Sequence, residues 1–271
     1  MRIEVISILI FCIFFGALIV YPIILSASLI SFEDFVSLLH NELYVRSLIN
    51  LMIFIGISIP IKLTLALFIS GLLSGFSRNP LVKVLSFIFP LPWAIPAMSG
   101  ALSFRWALDV DYGAVNLILS MIGLPKVPWL LTYPTAMASI IAFHVWKWTP
   151  LWILMLLAAR QAIPEELYES ARIDGASTIA TFKNITFPLI RNTFFICLLL
   201  STVWSIGEFE AIWLITLGGP NNSTHTITTF GVRQAFYYGD LKGAIASYLS
   251  VLPYVVLVMA LILNILRKGG E

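Results

Sequence analysis

Charge is what this chain has least of. Only 11% of its 271 residues are Asp, Glu, Lys or Arg, against 59% hydrophobic, whereas a soluble domain is about one quarter charged. That excludes an ordinary soluble domain and a disordered chain. The formal net charge of +2 is too small to mark a nucleic-acid-binding surface. Cysteine is nearly absent: Cys12 and Cys197 each lie inside an apolar run, so neither a disulfide framework nor a metal site is indicated. His40, His144 and His225 are scattered and read as structural or exposed side chains rather than ligands. No Gly-x-x-x-x-Gly-Lys-Ser/Thr loop occurs, so the chain is not expected to hydrolyse ATP, and no catalytic constellation is visible. What remains is a multi-span integral membrane protein, all α-helical, whose many aromatics suit membrane interfaces and sugar stacking equally.

A helix needs about 20 apolar residues to cross the hydrocarbon core. By that measure six spans are expected, near residues 5–31, 48–73, 85–106, 132–159, 191–217 and 241–266, in a single transmembrane domain covering 1–271. The first competes with a signal-peptide reading, since Arg2 supplies a basic start, but its apolar run exceeds a typical signal core. Pro90, Pro92 and Pro96 break up the third span, either as packing kinks or as part of a pathway wall. Such breaks are tolerated only where neighbours or water satisfy the freed carbonyls. Gly71 to Lys83 reads as a compact turn. Val115–Ile122 is too short to cross and reads as a surface or re-entrant helix, and the Gly218–Thr229 stretch as a solvated loop.

Six spans put both termini on one side, and the basic residues decide which. Arg2, Arg78, Lys83, Arg160, Arg172, Lys183, Arg191, Arg267 and Lys268 fall on one side, and Arg46, Arg105, Lys126, Arg233 and Lys242 on the other. The positive-inside rule therefore places both termini, and the polar segment 163–188, in the cytoplasm. Within that segment Pro164 suits a first helical position, and Glu165 and Glu166 suit a helix N-terminus. Gly175 permits a turn that a residue with a β-carbon resists, and Pro188 closes the segment.

The same segment carries a longer pattern. Glu169-Ser170-Ala171 is followed after three residues by Gly175, after nine more by Ile185, and after one more by Phe187-Pro188. This spacing resembles the cytoplasmic Glu-Ala-Ala…Gly…Ile-x-Leu-Pro motif of the inner-membrane permeases of binding-protein-dependent ABC importers. Ser170 and Phe187 depart from it while keeping size or apolarity. Tyr21-Pro22, Pro90 to Trp93 and the Thr216–Thr224 stretch resemble the carbohydrate branch. The last stretch, from Phe236 and Gly243–Ser250, resembles the first permease of the maltose and glycerol-phosphate type.

The resemblance implies a type I importer permease in which 163–188 is a coupling hairpin seated in a separate ATPase. Leu167, Ala171 and Ile173 would supply its apolar docking face, Glu169, Arg172 and Asp174 its orienting charges, and Gly175, Ile185 and Pro188 its fold back towards span five. The implied partners are a second homologous permease, an ATPase dimer holding ATP and Mg, an extracytoplasmic solute-binding protein, the sugar and membrane lipid. No cofactor is expected on this chain. For the substrate pathway, span five offers Trp204, Glu208, Glu210 and Trp213. A ring to stack on and a carboxylate to accept hydroxyl hydrogen bonds suit a sugar. Alternatively a glutamate pairs with Lys62 or Lys147, and Lys147 between Trp146 and Trp148 reads as a snorkelling anchor. A glycerol-phosphate cargo, or an ATP-independent channel or secondary transporter, are the competing functions.

Overall fold

The computed structural model describes residues 2–75, 80, 84 and 88–268. The turn expected at Gly71–Lys83, with Arg78 and Lys83, and the start of the third span at 85–87 lie largely outside those residues. Every regular element among the described residues is helical. α1 covers residues 2–28, with a wide turn at Gly16–Val20. Short α2 (Phe32–Leu39) begins at Ser31, whose hydroxyl and backbone N–H exchange hydrogen bonds with Asp34. Then come α3 (Glu42–Gly75), α4 (Leu91–Ala94), α5 (Ala97–Ala107), α6 (Ala114–Met121) and α7 (Tyr133–Gln161). The second half holds α8 (Glu165–Ile173), α9 (Thr178–Ile206), α10 (Glu210–Thr216), α11 (Ile227–Tyr237) and α12 (Leu241–Lys268).

Five of these are long and apolar enough to cross a membrane: Phe11–Ser28 within α1, then α3, α7, α9 and α12. The 34 residues of α3, at about 1.5 Å each, are roughly 50 Å long and exceed a hydrocarbon core of about 30 Å. α7 is the axis of the molecule: 61% of its apolar window is buried, against none of α1's. Its inner face (Phe143, Trp152, Ile153, Leu156) packs on Leu51, Phe54, Leu63 and Ala66 of α3 and Ile190 and Cys197 of α9.

The expected third and fifth spans are both broken. The third is split into α4 and α5 because Ile95 and Pro96 are extended. The fifth does not run unbroken from 191 to 217. Its helix starts earlier, at Thr178, and stops at Ile206, with α10 restarting at Glu210 after Gly207. At Pro188, which closes the polar segment, the helix itself does not stop. A wide turn over Phe182–Thr186, where the Phe187 N–H bonds back to the Phe182 carbonyl, lets the helix run through it. The second halves α5 and α10 pack against each other, and Arg105 reaches the Leu214 carbonyl at 3.4 Å. α6 lies on the surface with Ile118 and Met121 exposed, anchored by buried Asn116, which bonds the Val127 backbone and the Trp129 indole N–H.

Candidate functional site

α7 holds both broken helices, using side chains one turn apart. Lys147 is buried, and its ammonium donates to the carbonyl of Ile95 at 2.6 Å, with those of Trp93 and Pro92 at 3.4 and 3.5 Å. In an unbroken helix the Pro92 carbonyl would bond the N–H of residue 96, but residue 96 is proline and has none. Lys147 supplies the missing donor. It is therefore a cap on the break between α4 and α5, not a snorkelling anchor. The difference follows from its neighbours: three backbone carbonyls converge on its ammonium, and the side chain is buried.

His144 holds the other break. Its Nδ1 lies 2.9 Å from Glu208 Oε2, while Glu208 Oε1 accepts the Ala211 N–H at 2.9 Å and so caps the start of α10. On the far side of the ring, Lys62 of α3 sits 2.9 Å from Nε2 and 2.9 Å from the Ser205 hydroxyl. An ammonium cannot accept a hydrogen bond, so with Lys62 charged the imidazole takes the tautomer that accepts at Nε2 and donates from Nδ1 to Glu208. The expected alternative, a glutamate paired with Lys62, is realised through an intervening histidine. A carboxylate at membrane depth costs about 2.5–3.5 kcal/mol on insertion scales. Here it is offset by a helix N-terminus and a relayed positive charge.

Beside this chain of charges stands a wall of indoles. Trp204 is 41% exposed, and its ring centroid lies 5.2 Å from Trp148 and 5.5 Å from Trp152. Trp148 also faces His144. Of the expected pathway residues, Trp204 and Glu208 are thus brought to one place through Trp148 and His144. Glu210 is exposed, within electrostatic reach of Lys147. Trp213 belongs to a second aromatic group, stacked on Phe209 at 5.4 Å and meeting Tyr237 at 6.0 Å.

The Gly218–Thr229 stretch is not a solvated loop. Ser223, Thr224, His225, Thr226 and Thr229 are all buried. Asn50 of α3 donates to the carbonyls of Ser223 and His225 at 2.7 and 2.9 Å, and its own oxygen accepts from Tyr133 at 3.0 Å. Gly218 has φ +79°, and the His225 imidazole occupies the space its β-carbon would need. His225 contacts Arg233 through Nε2 at 3.2 Å and Thr229 through Nδ1 at 3.1 Å, and Arg233 also donates to Asn222. Burial and the Arg233 charge push the His225 pKa down to about 4.

At the other end, the polar segment is a helix, a capped turn and a second helix. Pro164 is extended and stands just before α8, one residue earlier than expected. α8 ends with the Gly175 N–H on the Arg172 carbonyl (3.1 Å) and the Ala176 N–H on the Ala171 carbonyl (2.9 Å), with Gly175 at φ +70°. That is a Schellman cap, which needs a left-handed residue at this one position. Ser177 then caps α9 by accepting from Ala180. Leu167, Glu169, Arg172, Asp174 and Gly175 are exposed, Ile185 is half-buried and Pro188 is exposed. Leu167, Ala171 and Ile173 do not form one docking face: Ala171 is buried against this chain, whereas Ile173, two residues on, is 86% exposed. Tyr168 ties α8 to Thr186 of α9 at 3.2 Å. Arg160 binds Ser70 and the Leu67 carbonyl of α3, both at 3.1 Å.

His144, Trp148, Trp152 and Ser205 were not singled out from the sequence as site residues, and Lys62 only as a possible partner of a glutamate. The available signal was their placement: His144, Lys147 and Trp148 share a face at helical spacing within a span, where charge is costly.

Among the described residues, a helical bundle in which one buried helix braces two interrupted ones, with a capped polar hairpin beyond its end, defines a polytopic membrane protein. Residues 35–269 match the family described as binding-protein-dependent transport system inner membrane component, and the chain belongs to that family. It is 38% identical over 186 residues to the trehalose/maltose transport system permease protein MalF of Thermococcus litoralis, covering 69% of this chain and 62% of that protein's length. It is 29% identical over 244 residues to the sulfoquinovosyl glycerol transport system permease protein SmoG of Agrobacterium fabrum, covering 90% of this chain and 78% of that one. Its fold is similar to a chain in the crystal structure of a bacterial ABC transporter involved in the import of the acidic polysaccharide alginate. That match has a TM-score of 0.86 and 24% identity, covering 98% of this chain and 96% of the other.

Proposed function

We propose that this chain is the permease subunit of an ATP-driven importer that passes a sugar, a di- or oligosaccharide, across the cytoplasmic membrane by alternating access. The observation that carries the reading is the indole wall of Trp148, Trp152 and Trp204 beside the hydrogen-bonding groups of His144 and Glu208. Indole faces stack on the C–H faces of pyranose rings, and fixed polar groups orient their hydroxyls. The relatives named for sugar transport support the same substrate class. Both termini and the hairpin lie in the cytoplasm on this reading. The hairpin couples to a separate ATPase dimer that holds ATP and Mg, through exposed Leu167, Glu169, Arg172, Ile173 and Asp174, with Ala171, Gly175, Ile185 and Pro188 shaping it from behind. A second, homologous permease completes the path and an extracytoplasmic solute-binding protein delivers the sugar.

Movement of the hairpin reaches the site through α7 and α9, which flank α8 in the chain. α7 carries the two side chains that hold the breaks, so tilting it displaces α4–α5 and α10 together. The test is uptake of radiolabelled saccharide by the complete importer in proteoliposomes. Trp204→Ala should weaken apparent affinity about 3- to 10-fold, the scale of one lost aromatic contact. Glu208→Gln should slow uptake, since a glutamine leaves the Lys62–His144 charge unbalanced. If both variants transport like the unmodified protein, the site is misplaced.

A further inference from the structure

We infer that Arg160 is a positioning residue for the transport step: it ties α3 to the base of the polar hairpin, so that α3 moves when the hairpin moves. The inference rests on the coupling reading above. Arg160 stands in the last turn of α7, and its guanidinium meets two further helices. On α3, Nε donates to the Ser70 hydroxyl and Nη2 to the Leu67 carbonyl, both at 3.1 Å. Ser70 is fully buried, and its hydroxyl donates to that same carbonyl at 3.1 Å, which closes a ring of hydrogen bonds. The guanidinium also lies against Gly71, where a β-carbon would stand 3.5 Å from Nη2. On α9, Arg160 Cζ is 5.6 Å from the centre of the Phe182 ring, within cation–π range. Phe182 opens the wide turn of α9, and Thr186 at its far end is held by Tyr168 of α8 at 3.2 Å. The hairpin therefore grips one end of the wide turn and Arg160 the other.

The apolar packing of α3 on α7 and α9 resists separation, but it is non-directional and does not fix how the helices slide or rotate. A planar guanidinium with donors in fixed directions does fix it. The wide turn departs from the regular helical ladder, a local geometry that is frequent at functional sites. A displacement of α8 that carries this turn also carries α3, because both are held by the same side chain. The consequence reaches the site. Lys62 lies two turns along α3 from Ser70, about 12 Å away, and its ammonium is one of the groups on His144. Movement of α3 thus acts on the Lys62–His144–Glu208 chain from its α3 end, while α7 and α9 act on the other two members.

The experiment is double electron–electron resonance on the complete importer, solute-binding protein included, in lipid nanodiscs. Exposed Cys12 is replaced by serine, and exposed cysteines of the other subunits are removed likewise. Spin labels go on Leu72→Cys of α3, Ile179→Cys at the start of α9 and Leu131→Cys just before α7, all exposed positions. In the otherwise unmodified importer, ATP with vanadate should change the 131–179 distance by about 2 Å or more, the scale of a helix shift. The 72–179 distance should stay as it was, because α3 and the hairpin base travel together. In Arg160→Gln the 72–179 distance should change by about 2 Å or more on the same step, with ATP hydrolysis retained. A merely structural role would lower the melting temperature without making this distance depend on nucleotide. Phe182→Leu removes the aromatic face and leaves the α3 hydrogen bonds, so it should loosen the same distance; it decides the matter if Arg160→Gln does not assemble. A 72–179 distance that already changes in the unmodified importer, or that stays fixed in an assembled Arg160→Gln or Phe182→Leu, overturns the inference and leaves the coupling reading standing. If ATP with vanadate changes neither distance in the unmodified importer, the coupling reading falls and takes this inference with it.

Discussion

Replacing Gly175 separates a demand for backbone shape from a demand for space. Its φ of +70° lies in the left-handed region, and no atom comes within 4 Å of where a β-carbon would stand. Gly175→Ala therefore meets no neighbour, and its whole cost is the left-handed conformation, about 1–2 kcal/mol for an L-residue. That is roughly a 5- to 30-fold shift from the capped turn towards opened forms. Asparagine tolerates this region better and should cost less. Proline is fixed near φ −65° and has no N–H. It must lose the bond to the Arg172 carbonyl, and the one from Ala176 to Ala171 cannot survive the change in φ. Two bonds of about 1 kcal/mol each come on top of the conformational cost. The expected order of saccharide taken up per ATP hydrolysed, in proteoliposomes, is Gly, then Asn, then Ala, then Pro. Membrane insertion should be unchanged throughout, because the turn lies outside the spans. Uptake by Gly175→Pro equal to that of the unmodified protein would falsify the capped-turn account. An asparagine variant worse than alanine would show that side-chain volume, not φ, is what the position restricts.

Lys147→Met should lower the melting temperature of the purified importer and raise hydrogen exchange in residues 91–107, since three carbonyls lose their shared donor; unchanged exchange there would mean that Lys147 is not what holds the break. Asn50→Ala frees two carbonyls and the Tyr133 hydroxyl, a loss on the order of 1–3 kcal/mol locally, and should raise exchange selectively in residues 218–226. His225, with its pKa pushed down to about 4 from an ordinary value near 6.5, stays neutral in the folded protein while the unfolded chain takes up a proton. Its contribution to stability is therefore complete above about pH 6.5 and is lost as pH falls towards 4. The melting temperature should drop over that window, and His225→Gln should flatten the drop; an equal drop in the variant would assign the pH dependence to other groups.

The hairpin was legible because its requirements are local. A Schellman cap, a serine N-cap and an apolar–polar alternation are each set within a few residues, so Gly175 and its spacing from Glu169 announce themselves in the chain. The apolar runs of α3, α7 and α12 were legible for a similar reason: a bilayer core imposes a minimum apolar length on any helix that crosses it. Pro90, Pro92 and Pro96 showed that something must satisfy freed carbonyls, but not which group would do so.

That identity is a matter of three dimensions. Lys147 lies about fifty positions away in the chain from the carbonyls it caps, and nothing in its own surroundings distinguishes a cap from an interfacial anchor. The division of the fifth span at Gly207 was hidden because Ile212 to Leu217 continues the same apolar run; only His144, arriving on another helix, makes Glu208 a better cap than a continuation. The Gly218–Thr229 stretch looks polar enough for solvent, yet Asn50 draws it into the bundle. Local conformation and span length follow from short-range sterics and the hydrophobic effect, which act along the chain. Which charge meets which break depends on how α3, α7 and α9 pack, and only the folded bundle decides that.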